Sequence, residues 1–363
     1  MNTSTNRYHR QSLVAQVGTS GQAKLAAARV LILGMGALGS TIADQLARAG
    51  VALLRIVDRD VVEWTNLQRQ TLYEESDARR GVPKVEAAAR RLRTIRSDLT
   101  IDLHAIDVDA SNIELLTRDI DLILDGSDNA ELRYLINDVS VKSGVPWVMG
   151  GCIGVEGRVV AFDPRAMRDA PSTVRNRSGD APALNRPCLR CIFPTPPAAG
   201  ELATCDTAGA LGPAIGVVAS LQVAEAMKLI VGDATAAMTL TTLDIWTNRL
   251  HSIDLKTARR DDCSCCSKRQ FDFLNRPTVG GAKLCGRNAV QVRPATPTRI
   301  DLAALAGRLR PVATLDATDL MLKVELRERP EHWLSIFGDG RAIVFGTSDL
   351  ALARAMYARV IGT

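Results

Sequence analysis

The stretch Arg29-Val30-Leu31-Ile32-Leu33-Gly34-Met35-Gly36-Ala37-Leu38-Gly39 carries the reading of the fold. A short β-branched and leucine-rich run predicts a strand. It enters a G-x-G-x-x-G turn, and Ser40 to Ala49 then shows helical periodicity up to Gly50. The three glycines do different things. Gly34 permits the tight turn, Gly36 lets backbone approach a phosphate, and Gly39 allows close helix–sheet packing. The helix start offers free N–H groups and a positive dipole end. A second apolar run, Leu53 to Val57, ends at Asp58, 19 residues beyond Gly39, where a carboxylate can accept hydrogen bonds from ribose hydroxyls. The motif specifies a nucleotide without saying which. A nicotinamide or flavin enzyme fits these residues equally well.

Outward from this unit, strand and helix signals alternate. A helix opens at Pro83-Lys84 and runs through Arg96. Strands are expected at Ile101–Ile106 and Asp121–Leu124, a helix at Glu131–Ser143, and a further strand from Trp147. Continuous apolar strands separated by helices predict a parallel sheet covered on both faces. Gly157–Phe162, Thr239–Ile245 and Leu250–Leu255 look antiparallel, and Asp163–Pro187 reads as a mobile loop. The fold class is thus α/β and Rossmann-like, a mostly parallel sheet extended by antiparallel strands. Residues 1–272 form the nucleotide domain, 273–298 a linker, and 299–363 a small α+β domain. The last has helices near Leu302–Leu309 and after Asp349, and strands near Leu320–Leu326 and Ala342–Phe345.

With 363 residues, 46% of them hydrophobic, the chain can build one large core and a small one. A net charge of only +5 does not call for nucleic acid. Arg90, Arg91, Arg93 and Arg96 read as a solvated helix face or as a docking patch for an acidic partner. No signal peptide is expected in the polar start. Pro213–Val231, interrupted by Gln222, Glu225 and Lys228, reads as a buried helix rather than a membrane span. The cytoplasm is the default location. Thiols stay reduced there, so eight cysteines ask for metal or catalysis before disulfides.

Three residues separate ATP from NAD. A hydride-transfer site wants an apolar slot for nicotinamide, but here Arg69 and Lys84 stand close together in sequence, and cations near a helix start call for an anion between them. A triphosphate supplies it. Asp128 follows a strand end, where ligands bind in open α/β sheets, and can hold Mg²⁺ against phosphates; its bland alternative is a helix N-cap. Two pairs, Cys188/Cys191 and Cys263/Cys266, have spacing that suits a Cys₄ zinc site stapling segments 71 residues apart. A redox role is the alternative, and Cys265 could compete with Cys266 as a ligand. Cys152 and Cys285 read as buried apolar residues.

Taken together these motifs resemble the ThiF/MoeB/ubiquitin-activating-enzyme (E1-like) family. The likeness rests on Arg7-Tyr8-His9-Arg10-Gln11, the glycine loop, Asp58, Asn66-Leu67-Gln68-Arg69-Gln70, Gly81-Val82-Pro83-Lys84, Asp125 to Asn129, Cys205 to Gly209 and Gly212 to Gly216. The resemblance implies ATP-dependent adenylation of the C-terminal glycine of a ubiquitin-like sulfur-carrier protein ending in Gly-Gly, in thiazole or molybdopterin synthesis. It implies a homodimer, structural Zn²⁺ and Mg²⁺. The implied nucleotide contacts are Gly34, Gly36, Ala37, Gly39, Asp58, Asp60, Asn66, Arg69, Lys84, Asp128 and Asn129. Arg10 resembles an arginine finger supplied by the other subunit. Cys205 matches a crossover-loop cysteine near the adenylate, which in thiazole-pathway members can bond to the carrier's activated terminus. An appended rhodanese module is common in longer members, and the tail after Arg276 is too short for one. Two competing readings are an NAD-dependent oxidoreductase and a non-catalytic nucleotide-binding scaffold. Arg69, Lys84 and Asp128 argue against the first, and Arg10 together with them against the second.

Overall fold

In a computed structural model of the chain, described for residues 7–167, 186–197, 205–237, 239–276, 282–283, 288–294 and 298–362, the glycine unit sits at the centre of the larger sheet. Strand β1 (Arg29–Leu33) pairs in parallel with β2 (Leu53–Val57) on one side and β4 (Leu122–Asp125) on the other. With β3 (Thr100–His104), β5 (Trp147–Ile153), β6 (Glu156–Phe162), β7 (Thr239–Asp244) and β8 (Arg249–Asp254) the order is β3-β2-β1-β4-β5-β6-β7-β8. The first five strands run parallel, and β6 to β8 extend the sheet antiparallel. The chain order reverses between β1 and β4, and a crevice opens at such a switch point.

Alternate residues of β1 feed two cores. Val30 and Ile32 join one, Leu31 and Leu33 the other. That double burial explains why the strand is uniformly apolar rather than alternating. Helix α1 (Ala37–Ala49) begins one turn earlier than the periodicity suggests and stops at Gly50, whose φ of +97° forms a left-handed cap. Helix α2 (Lys84–Ile95) and helix α3 (Ala130–Ser143) flank the sheet. Helix α4 (Gly212–Val231) alone among the described residues is long and apolar enough to cross a membrane. It lays Ala214, Ile215, Val218 and Ala219 into the first core, against α1, β5 and β6. This matches the reading as a core helix.

The C-terminal residues form a second, antiparallel sheet. Its strands are β9 (Ala282–Lys283), β10 (Ala289–Val292), β11 (Ala313–Ala317), β12 (Met321–Leu326), β13 (Trp333–Phe337) and β14 (Ala342–Phe345), in the order β11-β12-β13-β14-β10-β9. The stretch read as a linker therefore needs correcting. Strand β10 lies inside it, fully buried and paired with β14. Four residues between glycines and prolines carry too little pattern to announce a strand. Leu302–Leu309 and Leu350–Ile361 are helical, each capped by an aspartate side chain, Asp301 and Asp349. They cover one face of this sheet, and Val61 and Ala105 of the larger unit meet the other.

The basic run on α2 is not one docking face. Arg90 pairs with buried Asp77, while Arg96 is itself buried, donating to the Val51 carbonyl and to Asp98 at 3.1 Å. Most of the expected mobile loop, together with Cys285, lies outside the described residues.

Candidate functional site

Three glycines interlock where β1 and β4 end. Gly34 has φ +91°, and a Cβ on Gly39 would stand 1.8 Å from the Gly34 carbonyl oxygen. A Cβ on Gly126, at the end of β4, would stand 2.5 Å from the same oxygen. Gly36 differs: the nearest atom to a Cβ there is Gln70 Nε2, 4.0 Å away. The turn is therefore rigid at Gly34 and Gly39 and open at Gly36, as a phosphate cradle requires. Ala37 is the first residue of α1, so the exposed N–H groups of a 13-residue helix start at this cradle.

Asp58 stands beside it. The Met35 N–H donates to Oδ2 at 2.6 Å, and the Asp60 N–H donates to Oδ1 at 2.8 Å. Burial pushes the Asp58 carboxyl above the usual carboxylate range, against the opposing pull of Lys84. Lys84 is buried at the start of α2, with Nζ 3.3 Å from Asp60 Oδ2. The anion that the sequence demands for Lys84 is thus supplied locally by Asp60. Asn66 is buried and closes the Trp64–Asn66 turn, its Oδ1 accepting from the Glu63 N–H at 3.0 Å. Arg69 is folded back, Nη1 donating to the Thr65 carbonyl at 2.7 Å. Two neighbours escaped the sequence reading. Gln70 is buried with its Oε1 unpartnered, and Tyr73 donates its hydroxyl to the Met35 carbonyl at 2.5 Å. Burial raises the Tyr73 phenol well above its ordinary value, so it remains a donor.

At the end of β4, Asp125 is fully buried and organises the loop. It accepts from the Ser127 N–H (2.9 Å), from Ser127 Oγ (2.6 Å) and from Arg133 Nε (2.8 Å). Arg133 also donates to the Gly150 carbonyl at 3.0 Å, and Gln222 donates to the Asp125 carbonyl at 2.8 Å. The sequence signal for this network was an aspartate ending an otherwise apolar strand. Asp128, by contrast, is exposed and makes no hydrogen bond or ion pair among the described residues. Its bland role goes to Asn129, whose Oδ1 accepts from the Glu131 and Leu132 N–H groups as the N-cap of α3.

Two expected residues are not brought to this cradle within one chain. Arg10 lies exposed in the short helix His9–Ser12. That segment packs on the far end of α1: Gln11 Nε2 donates to the Ala49 carbonyl at 3.0 Å, and the Tyr8 ring lies against Gly50. At ~1.5 Å per residue, α1 puts roughly 18 Å between this end and the glycine loop. Cys205 heads the short helix Cys205–Ala208; its side chain lies outside what the structure describes. The backbone just after it is tied to the end of β5, where the Gly154 N–H donates to Gly209 O and the Leu211 N–H donates to Gly154 O, each at 2.9 Å. Residue 205 is thus tethered to the carboxyl edge of the sheet that carries the cradle.

A second centre lies beneath α3. Cys188, Cys191, Cys263 and Cys266 are buried with their sulfurs all within 4.8 Å of one another, three separations being 3.4, 3.7 and 4.0 Å. Four thiolates about 2.3 Å from a tetrahedral Zn²⁺ stand about 3.8 Å apart, so this donor set fits zinc. Cys265 is excluded from the quartet. It turns to Asn137, whose Nδ2 donates to it at 3.2 Å. The same asparagine accepts from the Leu189 N–H at 2.8 Å, and Asp138 accepts from the Phe273 N–H at 3.0 Å, so α3 anchors both cysteine segments. Cys152 is buried, as expected.

The switch-point crevice and the glycine cradle define a doubly wound α/β protein of the nucleotide-binding kind, with a separate thiolate centre. The chain belongs to the ThiF family, whose model matches residues 8–265. It is 40% identical over 359 residues, 99% of this chain and all of the relative, to the "Sulfur carrier protein ThiS adenylyltransferase" of Bacillus subtilis. It is 37% identical over 227 residues to the "Sulfur carrier protein adenylyltransferase" of Thermus thermophilus, covering 62% of this chain and 78% of that one. Among solved structures, the E. coli MccB–ATP complex superposes with a TM-score of 0.58 at 21% identity, over 72% of this chain and 74% of that one, a likeness of fold.

Proposed function

We propose that this chain is an ATP-dependent adenylyltransferase that activates the C-terminal glycine carboxylate of a ubiquitin-like sulfur carrier, forming an acyl-adenylate. The observation that carries it is the glycine cradle at the sheet switch point, with Gln70 nearest the open face of Gly36 and Gly126, two residues before Asp128, packed on Gly34. An alternative NAD reading has no comparable support: the relatives are named as adenylyltransferases. The full-length relative named for ThiS supports a ThiS-type carrier and the thiazole branch over the molybdopterin one.

The carrier's carboxylate, already ionised near neutral pH, attacks the α-phosphorus. A new oxygen–phosphorus bond forms, the α–β phosphoanhydride bond breaks, and pyrophosphate leaves with the electron pair. No proton moves. The difficulty is bringing two anions together, so fixed positive groups are the catalytic device. Gly34, Gly36, Ala37 and Gly39 present backbone to the phosphates. Asp58, with Asp60 beside it, takes the ribose. Asn66, Arg69 and Lys84 are assigned to the phosphate side, and among the described residues Arg69 has one backbone contact to give up before reaching it. Asp128, next to Asn129, would hold Mg²⁺, which would neutralise phosphate charge. The Cys₄ set would hold structural Zn²⁺, tying the segment before Cys205 to the end of the large unit. Cys205 is assigned to the carrier's activated end.

Arg10 lies a helix length from its own cradle, which supports assigning its phosphate contact to the cradle of a second subunit in a homodimer. Neither nucleic acid nor a membrane enters the reaction, and the cytoplasm, where four thiolates stay reduced, is the assigned compartment. The test is ATP–pyrophosphate exchange with a Gly-Gly carrier. Exchange is expected with wild type and absent from Arg10→Ala and from Asp128→Ala. Mixing the two variants should restore part of it, since one hybrid site keeps both groups. Absence of exchange with every ThiS- or MoaD-type carrier refutes the activity, and failure of the mixture refutes the shared site.

A further inference from the structure

The C-terminal sheet contributes a side chain that reaches the nucleotide edge from behind. Arg341 opens the way into β14 and is 1% exposed, with its guanidinium carbon 3.8 Å from the Phe337 ring centroid. Nη1 donates to the Arg59 carbonyl and Nη2 to the Ala105 carbonyl, both at 2.7 Å. These two acceptors flank Asp58. The Arg59 carbonyl shares one planar trans peptide with the Asp60 N–H, and that N–H points the opposite way to donate to Asp58 Oδ1 at 2.8 Å. Ala105 follows His104, whose carbonyl accepts the Asp58 N–H at 3.2 Å. Gripping the first carbonyl therefore fixes the orientation of the peptide that holds the ribose acid. Gripping the second fixes the strand end on which Asp58 hangs.

We propose that Arg341 is a positioning residue for ribose recognition, and that the C-terminal domain acts as the back wall of the nucleotide site. This rests on the reading of Asp58 as the ribose ligand. Two features suit the role. The Arg341 side chain is buried, and a charged donor to a carbonyl counts for more there than at the surface. Packing of Val61 against Met321 and Ile343 further stiffens the loop between Asp58 and Lys84, because Val61 also bridges to Pro83. Asp60 lies in that loop and both accepts from Lys84 Nζ and supplies the N–H to Asp58, so the ribose and phosphate sides share one braced segment.

The test measures ribose selectivity by calorimetry on the full chain, with ATP and 2′,3′-dideoxy-ATP as probes. Wild type should prefer ATP. Arg341→Met should weaken ATP binding about tenfold, roughly one charge-assisted hydrogen bond, and leave dideoxy-ATP binding nearly unchanged. Arg341→Lys, which can keep one of the two bonds, should recover part of the selectivity. In an Asp58→Asn background Arg341→Met should add nothing. Should Arg341→Met fail to fold, Phe337→Leu loosens the guanidinium from the other side and should reduce selectivity in the same direction. Arg80→Ala breaks the ion pair to Asp316 at the same interface, 2.8 Å long, and should leave selectivity intact. Equal weakening of both nucleotides by Arg341→Met, or a further loss in the Asp58→Asn background, overturns the proposal. If wild type binds ATP but does not discriminate the ribose, the assignment of Asp58 falls, and this inference with it. Retained selectivity in Arg341→Met refutes this inference alone.

Discussion

Two glycines of the same motif should fail in opposite ways when changed to alanine. At Gly39 the added Cβ would lie 1.8 Å from the Gly34 carbonyl oxygen, and real Cβ contacts essentially never fall below 3.0 Å, so backbone must retreat by at least 1.2 Å. The obstruction is main chain at the end of a central strand, with Gly126 packed against the same oxygen, so no side chain can swing aside. Overpacking of this kind costs about 3 kcal/mol. At two to four degrees per kcal/mol for a chain of this size, Gly39→Ala should melt roughly 6–12 °C lower. At Gly36 the nearest protein atom is 4.0 Å away and φ is −73°, so Gly36→Ala should melt within about a degree of wild type. Its methyl would occupy the space through which backbone meets phosphate, so ATP affinity should fall by about a hundredfold or more. Thermal unfolding by circular dichroism and ATP titration by calorimetry separate the two outcomes. A Gly39→Ala protein as stable as wild type would show that the three-glycine contact is looser than described. A Gly36→Ala protein with wild-type ATP affinity would remove the phosphates from this loop.

Further expectations concern the edge, the thiolates and the domain contact. Asp128→Ala should abolish ATP–pyrophosphate exchange with an unchanged melting temperature, whereas Asn129→Ala should lose about 1 kcal/mol of stability as a missing helix cap; denaturant titration beside the exchange assay reads both. Purified protein should release one zinc per chain to a chelator, measured colorimetrically; Cys263→Ser should carry little metal, and Cys265→Ser a full complement. Hydrogen bonding and attraction from Arg80 hold the Asp316 carboxyl below its usual range. Its stabilising contribution is therefore complete above the ordinary carboxylate value and is lost as pH falls through the lowered one. Asp316→Asn should accordingly cost up to about 1 kcal/mol near neutrality, since the pair is part-exposed, and progressively less as pH falls through the lowered value. A loss that persists at low pH would assign the effect to packing instead.

What could be read without coordinates follows from how local each signal is. Strand boundaries around the glycine loop came out within a residue because apolar runs, turn glycines and acidic strand ends are all features of adjacent residues. The four zinc candidates were legible for the same reason: each pair is local. Strands β10, β11 and β13 were not, because four or five residues on a small sheet alternate too briefly to stand out from their turns. The ambiguity over Cys265 could not be resolved from spacing either, since consecutive cysteines differ only in which way the turn points them.

Residue chemistry and near-neighbour spacing were enough to argue for a nucleotide on a glycine turn. They were enough to argue for a triphosphate, from cations and a carboxylate, and to offer two cysteine pairs to a metal. What each side chain is already doing emerged only from the packed chain. Packing gave Lys84 its partner in Asp60, handed the helix cap to Asn129 and left Asp128 free. It set Arg10 a helix length away from its own cradle, and it brought Arg341, more than 280 positions along the chain, to the peptide behind Asp58. Hydrogen bonds between distant segments depend on how the sheets stack, and no spacing along the chain encodes that.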